Sequence, residues 1–171
     1  YETAYAKINL GLDVLGKRSD GYHEVRMVMQ SVGLSDAVEI EEGEGLVVET
    51  DHSGLAGGPD NLAWKAAELL ARCCGKIPNV HIRLNKKIFL AAGLAGGSSD
   101  AAAVMRGLSR LWQLDLTAPE LEKLAAELGS DIPFCITGGT ALAEGRGEIL
   151  TELPEAPELL LVLAKPKLEV A

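Results

Sequence analysis

The stretch Ala92-Gly93-Leu94-Ala95-Gly96-Gly97-Ser98-Ser99-Asp100-Ala101-Ala102-Ala103 decides how the rest of the chain is read. Glycines and serines lead into an alanine-rich segment in which Val104, Met105, Leu108, Leu111 and Trp112 recur at helical spacing. The pattern predicts a loop feeding a helix that begins near Ser98 or Ser99 and runs to about Trp112. A helix N-terminus leaves N–H groups unpaired and carries the positive end of the helix dipole. Glycine lets an anion approach those groups closely, so the loop suits a phosphate, and Ser98 or Ser99 would add a hydroxyl or help hold Mg²⁺. The bland alternative is a tight turn with a serine cap. It is neither a Walker loop, which needs Gly-Lys-Ser/Thr, nor the dinucleotide Gly-x-Gly-x-x-Gly pattern.

Upstream, Ala4, Ala6, Ile8, Leu10, Leu12 and Val14 fall on one parity, and Tyr5, Lys7, Asn9 and Asp13 on the other. Period two predicts a strand with one buried face and with Lys7 and Asn9 projecting together. Gly16 to Gly21 reads as a loop, followed by strands over Glu24–Val32, Ala37–Glu41 and Leu46–Thr50. Asp51 to Pro59 is a loop, and Asp60 is expected to cap a helix with its stripe at Leu62, Ala66, Leu69, Leu70 and Cys73. Val80, Ile82 and Leu84 mark another strand. Downstream, Thr117 and Glu120 form a capping box for a helix that Gly129 closes. The remainder predicts strands over Thr140–Ala143, Glu148–Leu153 and Glu158–Ala164, with Gly145-Arg146-Gly147 as a hairpin turn. Strands and helices mix without regular βαβ alternation, which predicts an α+β fold.

The chain has 171 residues, 47% of them hydrophobic and 24% charged, which suits one domain with a true core. A net charge of -9 argues against nucleic acid and against anionic lipid as partners. The apolar run Leu159 to Ala164 is far shorter than the ~20 residues needed to span a membrane. The opening Tyr1-Glu2-Thr3 has no basic flank or apolar stretch of a leader. Cys73, Cys74 and Cys135 form neither a disulfide framework nor a zinc pattern, which predicts buried reduced thiols in a cytoplasmic protein. An apolar strand so near the end predicts an incomplete chain.

Three further groups carry chemistry. Gly129-Ser130-Asp131-Ile132-Pro133-Phe134-Cys135 sets a carboxylate in a loop, where it would orient a hydroxyl or take its proton in phosphoryl transfer. Alternatively, Asp131 is a turn or capping residue. Lys7, beside such a carboxylate, would stabilise charge in transfer; alone, it is a solvated face residue. Gly21-Tyr22-His23-Glu24 offers an aromatic face and an imidazole, suited to stacking on a base and reading its edge, unless it is only a polar turn.

Ala6-Lys7-Ile8-Asn9-Leu10-Gly11-Leu12, Gly21-Tyr22-His23-Glu24, the Gly93–Ala102 loop and Gly129–Phe134, in this order, resemble the GHMP small-molecule kinases. Within them the Gly-Tyr-His motif and the opening Ala-Lys-Ile-Asn-Leu are similar to the branch serving non-mevalonate isoprenoid biosynthesis. That resemblance implies a two-layer α+β fold, with residues 1–155 as the N-terminal ATP- and substrate-binding domain. Residues 156–171 would begin a second domain, incomplete here. It implies ATP and Mg²⁺ as cofactors, and as substrate the cytidine diphosphate conjugate of methylerythritol, phosphorylated on its 2-hydroxyl. Lys7 and Asp131 match the catalytic pair, and Asn9, Tyr22 and His23 match the substrate contacts, the last two recognising cytosine. ATP would meet Asn61 together with Phe89, Leu90, Ala91, Ala92, Gly93, Leu94, Ala95, Gly96, Gly97, Ser98 and Ser99. Phe89 departs from the pattern, since the family usually has proline there to fix the chain's direction into the loop. The alternatives are a homoserine or mevalonate type of GHMP kinase, an inactive nucleotide-binding fragment and, against the charge, an RNA-binding domain.

Overall fold

The alternating first segment becomes strand β1 (Glu2–Lys17), and it pairs antiparallel with a single long strand, β2 (His23–Glu42). The computed structural model describes residues 1–166. The two expected strands of 24–32 and 37–41 are thus one, unbroken at Gly33, because β1 bulges against it and absorbs the irregularity. The register shifts between Tyr5 and Lys7, between Asn9 and Gly11, and between Val14 and Gly16. Gly16 and Lys17 therefore extend the strand, and the turn is confined to 18–22.

β2 is the spine of a six-stranded sheet. Its residues 25–30 pair with β5 (Thr140–Gly145), and its residues 37–42 pair with β4 (Val80–Asn85). β3 (Leu46–Thr50) lies parallel to β4 and reaches it through helix α1 (Leu62–Cys74), a βαβ unit within an otherwise antiparallel sheet. β6 (Ile149–Glu152) closes the β5 hairpin across Gly145-Arg146-Gly147, as the sequence predicts.

α2 (Gly96–Leu111) is the central helix. Its Ala101 to Met105 and Leu108 pack with α1 and with Ala4, Val38, Val48, Val80, Ile82 and Leu84 of the sheet. Gly107 permits the close approach, since a Cβ there would collide with Ile40 Cδ1. α3 (Ala118–Ala125) starts on the capping box, with Glu120 accepting from Thr117 N at 2.8 Å. It ends before Gly129, and a short helix α4 (Ile132–Thr137) follows where the sequence predicts a loop.

Three expectations fail in instructive ways. Asn61, not Asp60, caps α1, its Oδ1 accepting from Ala63 N at 2.9 Å. Residues 158–164 form no strand, because their apolar side chains find no ladder among the described residues, and Leu160 and Val162 are 99% and 91% exposed. Leu163 alone turns back against Ala6, Ile88 and Leu94. Of the cysteines expected to be buried, Cys73 is exposed on the outer face of α1, and Cys74 and Cys135 are half-buried. The expected second domain over 156–171 falls partly beyond the described residues, since 167–171 lie outside them.

Candidate active site

Lys7 is buried although it belongs to the polar parity of β1, because the bulge at Tyr5/Lys7 turns its side chain inward. Its backbone N–H donates to Leu94 O at 3.1 Å, which ties the strand to the glycine-rich loop. Its ammonium donates to Asn9 Oδ1 at 3.3 Å and stands 3.6 Å from Asp131 Oδ2. Asp131 occupies the residue before α4, yet its side chain makes no capping hydrogen bond and faces Lys7 instead. Its backbone is helical, at φ -84° and ψ -17°, and Pro133 then starts the helix at low cost, since an early helical N–H needs no partner.

α2 begins at Gly96, two residues before the expected start, so neither serine is its cap. Ser99 Oγ donates to Tyr5 O at 2.6 Å, which leaves Ser98 as the serine facing open space. Positive φ recurs at Ala91 (49°), Gly93 (70°) and Ala95 (57°). Every second residue in the left-handed region turns successive N–H groups to one side, the backbone form of anion-binding nests. An alanine held there costs roughly 1–2 kcal/mol, so the loop stores strain at two positions.

A cleft of about 340 Å³ joins these parts. Lys7, Leu62, Phe89, Ala91 to Ser98 and Asp131 all line it, with Leu90 between them. Ser99 stands behind the wall rather than in it. Asn61 is also off the cleft: it is buried, and both its amide atoms are engaged, Nδ2 donating to Ala56 O at 2.8 Å. Cys135 lies behind Asp131, and burial, reinforced by the Asp131 charge, pushes its thiol up to about 12. It therefore stays protonated at neutral pH and is no nucleophile.

Tyr22 and His23 are not brought to this cleft. His23 pairs with Lys17 and Ser31 with Lys7, so the two ends are roughly 25 Å apart along an unbent ribbon. Both residues are exposed at the far end. There the guanidinium of Arg146, from the β5–β6 turn, lies over the Tyr22 ring at 5.0 Å from its centroid. The sequence marks Arg146 only as a turn residue, since a basic residue between two glycines gives no signal of the ring it will cover. Asn9 sits between the two ends of the ribbon, bonded to Lys7.

Among the described residues no group of three or more His, Cys, Asp or Glu is placed to hold a metal ion. A metal here would rest mainly on a ligand's phosphates, and Ser98 is the hydroxyl in the cleft that suits it.

Residues 61–139 match the model of the GHMP kinase N-terminal domain. The chain is 53% identical over 165 residues to a 4-diphosphocytidyl-2-C-methyl-D-erythritol kinase of Synechococcus sp. (strain JA-3-3Ab), covering 96% of this chain and 53% of that protein. It is 50% identical over 171 residues to the kinase of the same name from Geobacillus kaustophilus, covering 98% and 59%. A crystal structure of 4-(cytidine 5'-diphospho)-2C-methyl-D-erythritol kinase superposes with a TM-score of 0.75 at 39% identity, over 88% of this chain and 54% of that one. A mevalonate kinase superposes with a TM-score of 0.67 at 15% identity, a likeness of fold alone. The chain spans between half and two thirds of the length of these curated relatives.

Proposed function

We propose that this chain, which belongs to the GHMP kinases, supplies the nucleotide- and acceptor-binding half of a 4-diphosphocytidyl-2-C-methyl-D-erythritol kinase. The reaction is transfer of the γ-phosphoryl of ATP to the 2-hydroxyl of the methylerythritol moiety. The observation that carries it is the Lys7–Asp131 pair, 3.6 Å apart, in the same cleft as the loop of residues 89–98. Relatives sharing half of its residues bear that kinase's name, and the 1–155 domain with a following second one agrees with their greater length.

Phosphoryl transfer asks little covalent chemistry of a protein; it asks for position and for charge where charge develops. The loop's N–H groups and the α2 dipole hold the polyphosphate, with Phe89 and Leu90 at the entrance beside the base. Mg²⁺, carried by the phosphates with Ser98 as its protein partner, would neutralise their charge. Asp131 accepts a hydrogen bond from the acceptor hydroxyl, orients its oxygen and takes its proton as the new P–O bond forms. Lys7 holds that carboxylate in place by the ion pair and then stabilises the phosphoryl oxygens in flight. Asn9 fixes the Lys7 ammonium and the acceptor beside it. Tyr22 and His23 take the cytosine, so the conjugate lies extended along the ribbon, its base distant from its reacting hydroxyl.

Asp131→Asn keeps the size of the side chain and removes its charge and basicity. At the full length of the relatives, it should lower kcat by ~10²–10⁴ while leaving the KM for ATP within a few-fold. Full turnover in that variant would return Asp131 to a place in the turn.

A further inference from the structure

Three buried charges lie outside the cleft and play no part in the chemistry above. Asp36 of β2, Lys86 just beyond β4 and Asp100 in α2 have side chains 0%, 1% and 2% exposed. The Lys86 ammonium is paired with both carboxylates. Asp36 also accepts from the backbone N–H of Lys87 and, at 2.8 Å, of Ile88, while Asp51 accepts from Lys86 N at 2.9 Å. Three successive N–H groups at the loop entrance are thus held by carboxylates. The exit is reached through the same ammonium: a Cβ on Gly96 would lie 3.6 Å from Lys86 Nζ and 3.0 Å from Ile88 Cγ2. Entrance and exit of the loop therefore meet at Lys86.

Stability alone does not account for this arrangement. Burying ions costs several kcal/mol each, and a well-packed apolar trio is often as stable or more so. One oxygen of Asp100 also finds no hydrogen-bond partner. What the cluster does supply is a fixed distance between residues 86–88 and 96–100. Between those ends Ala91 and Ala95 are held in the left-handed region, and a loop with free ends would relax out of it.

We propose that Lys86, with Asp36 and Asp100, is the positioning group of the phosphate loop. It clamps the loop's two ends so that the N–H groups of residues 91–97 stand formed before a nucleotide polyphosphate arrives. The cluster touches no substrate, and it acts through the loop. The proposal rests on reading residues 93–99 as a phosphate loop, and it adds the device that holds them. A preformed loop spares the nucleotide the cost of ordering it, so loosening the clamp should weaken ATP and not the acceptor.

Two measurements separate this from a merely structural role and from the kinase reading itself. The first is amide hydrogen exchange on this chain without nucleotide, comparing Asp36→Asn, Lys86→Met and the double variant Lys86→Met/Asp100→Asn with the unaltered protein. Exchange at residues 86–88, the loop entrance whose N–H groups the carboxylates hold, should quicken at least ~10-fold while the α1 and β4 amides stay protected. Should a single variant fail to fold, the double variant, which removes the ammonium together with one of its two carboxyl partners, carries the test. The second is kinetics at full length, where the KM for ATP should rise ~10-fold, with the acceptor KM and kcat each within about threefold. Unchanged loop exchange, or a quickened loop with an unaltered KM for ATP, overturns the proposal. A fall in kcat with both KM values unmoved also overturns it. An unaltered full-length protein that turns over no ATP fails the kinase reading instead, and the exchange result still decides whether the cluster holds the loop.

Discussion

The two ends of the β1–β2 ribbon are built on opposite terms. At the Lys7 end the working groups are enclosed: the lysine is 5% exposed, bonded to Asn9, tied to Leu94 and faced by Asp131. At the His23 end Leu10, Leu12, Val14, Leu15 and Tyr22 are all exposed, and the ion pairs of Arg18 with Asp20 and Glu24 lie at the surface. Chemistry on a phosphoryl group needs charges fixed before the substrate arrives, and burial fixes them. Recognition of a flat base, the role proposed for Tyr22 and His23, would tolerate an open end, where a ring and an imidazole supply contact that closes only on binding. On the proposed reading the same pair of strands serves both tasks, packed at one end and bare at the other.

The largest effect should come from breaking the enclosed end. Lys7→Met keeps the length of the side chain and removes its charge, leaving Asp131 without its counter-ion. At full length kcat should fall by ~10²–10³, and adding Asp131→Asn should cost much less than the product of the two single losses, because the groups act as a unit. Multiplicative losses in a steady-state assay would show that the two work independently.

At the open end, His23→Ala and Tyr22→Ala should each raise the KM for the cytidine substrate by an amount equivalent to ~1–3 kcal/mol. The KM for ATP should hold, and the melting temperature should move little, since both side chains are exposed. A substrate analogue lacking the base would sharpen the result: it should be a poor substrate for the unaltered enzyme and equally poor for both variants.

What was legible in the sequence divides along the same line. Lys7, Asp131 and the Gly93–Ser99 loop were found through motifs, and the structure gathers all but Ser99 into one cleft. The alternation in β1 was read correctly as a strand, but it predicted burial for Leu10, Leu12 and Val14, which are exposed. Period two reports that a strand has two faces, and it carries no information about whether anything covers them. The sequence predicts separate strands over Glu24–Val32 and Ala37–Glu41, yet the bulges lie in β1 and β2 runs through. Asp60 and Asn61 are equally good caps by type; the choice agrees with Ala56 O, to which the Asn61 amide donates and a carboxylate could not. The Asp36–Lys86–Asp100 cluster left no signal, because its members are far apart in sequence and each is an ordinary surface residue by type.

That cluster gives the enclosed end a pH dependence of its own. Burial raises Asp100 from 3.8 to about 7, against the opposing pull of Lys86 and with the charge of Asp36 adding to the rise. A carboxyl with a raised folded value binds its proton more tightly in the folded state than in the unfolded one. Folding is therefore favoured below the unfolded value and loses stability as pH climbs from about 4 through about 7. Asp100→Asn should flatten this segment of a plot of denaturation midpoint against pH. An unchanged slope between pH 5 and 7 would show that Asp100 is ionised throughout, with Lys86 its full counter-charge.

The smallest effect should come from the bare face itself. Leu12 is 52% exposed on the ribbon, beyond the reach of the core clusters. Leu12→Ser removes apolar surface that this fold never takes from water, so the stability of the chain should change by less than ~0.5 kcal/mol. Ala6→Ser, on the same strand and of the same parity, serves as the control, because Ala6 is fully buried beside Ile88 and Leu94. The added hydroxyl must find a partner there or go unpaired, at a cost of ~1–3 kcal/mol. Urea denaturation of the two variants compares the two ends of one strand directly. Equal losses would mean that Leu12 is covered in solution, by a second copy or by further chain, and the open end would then be a docking face and not a free one.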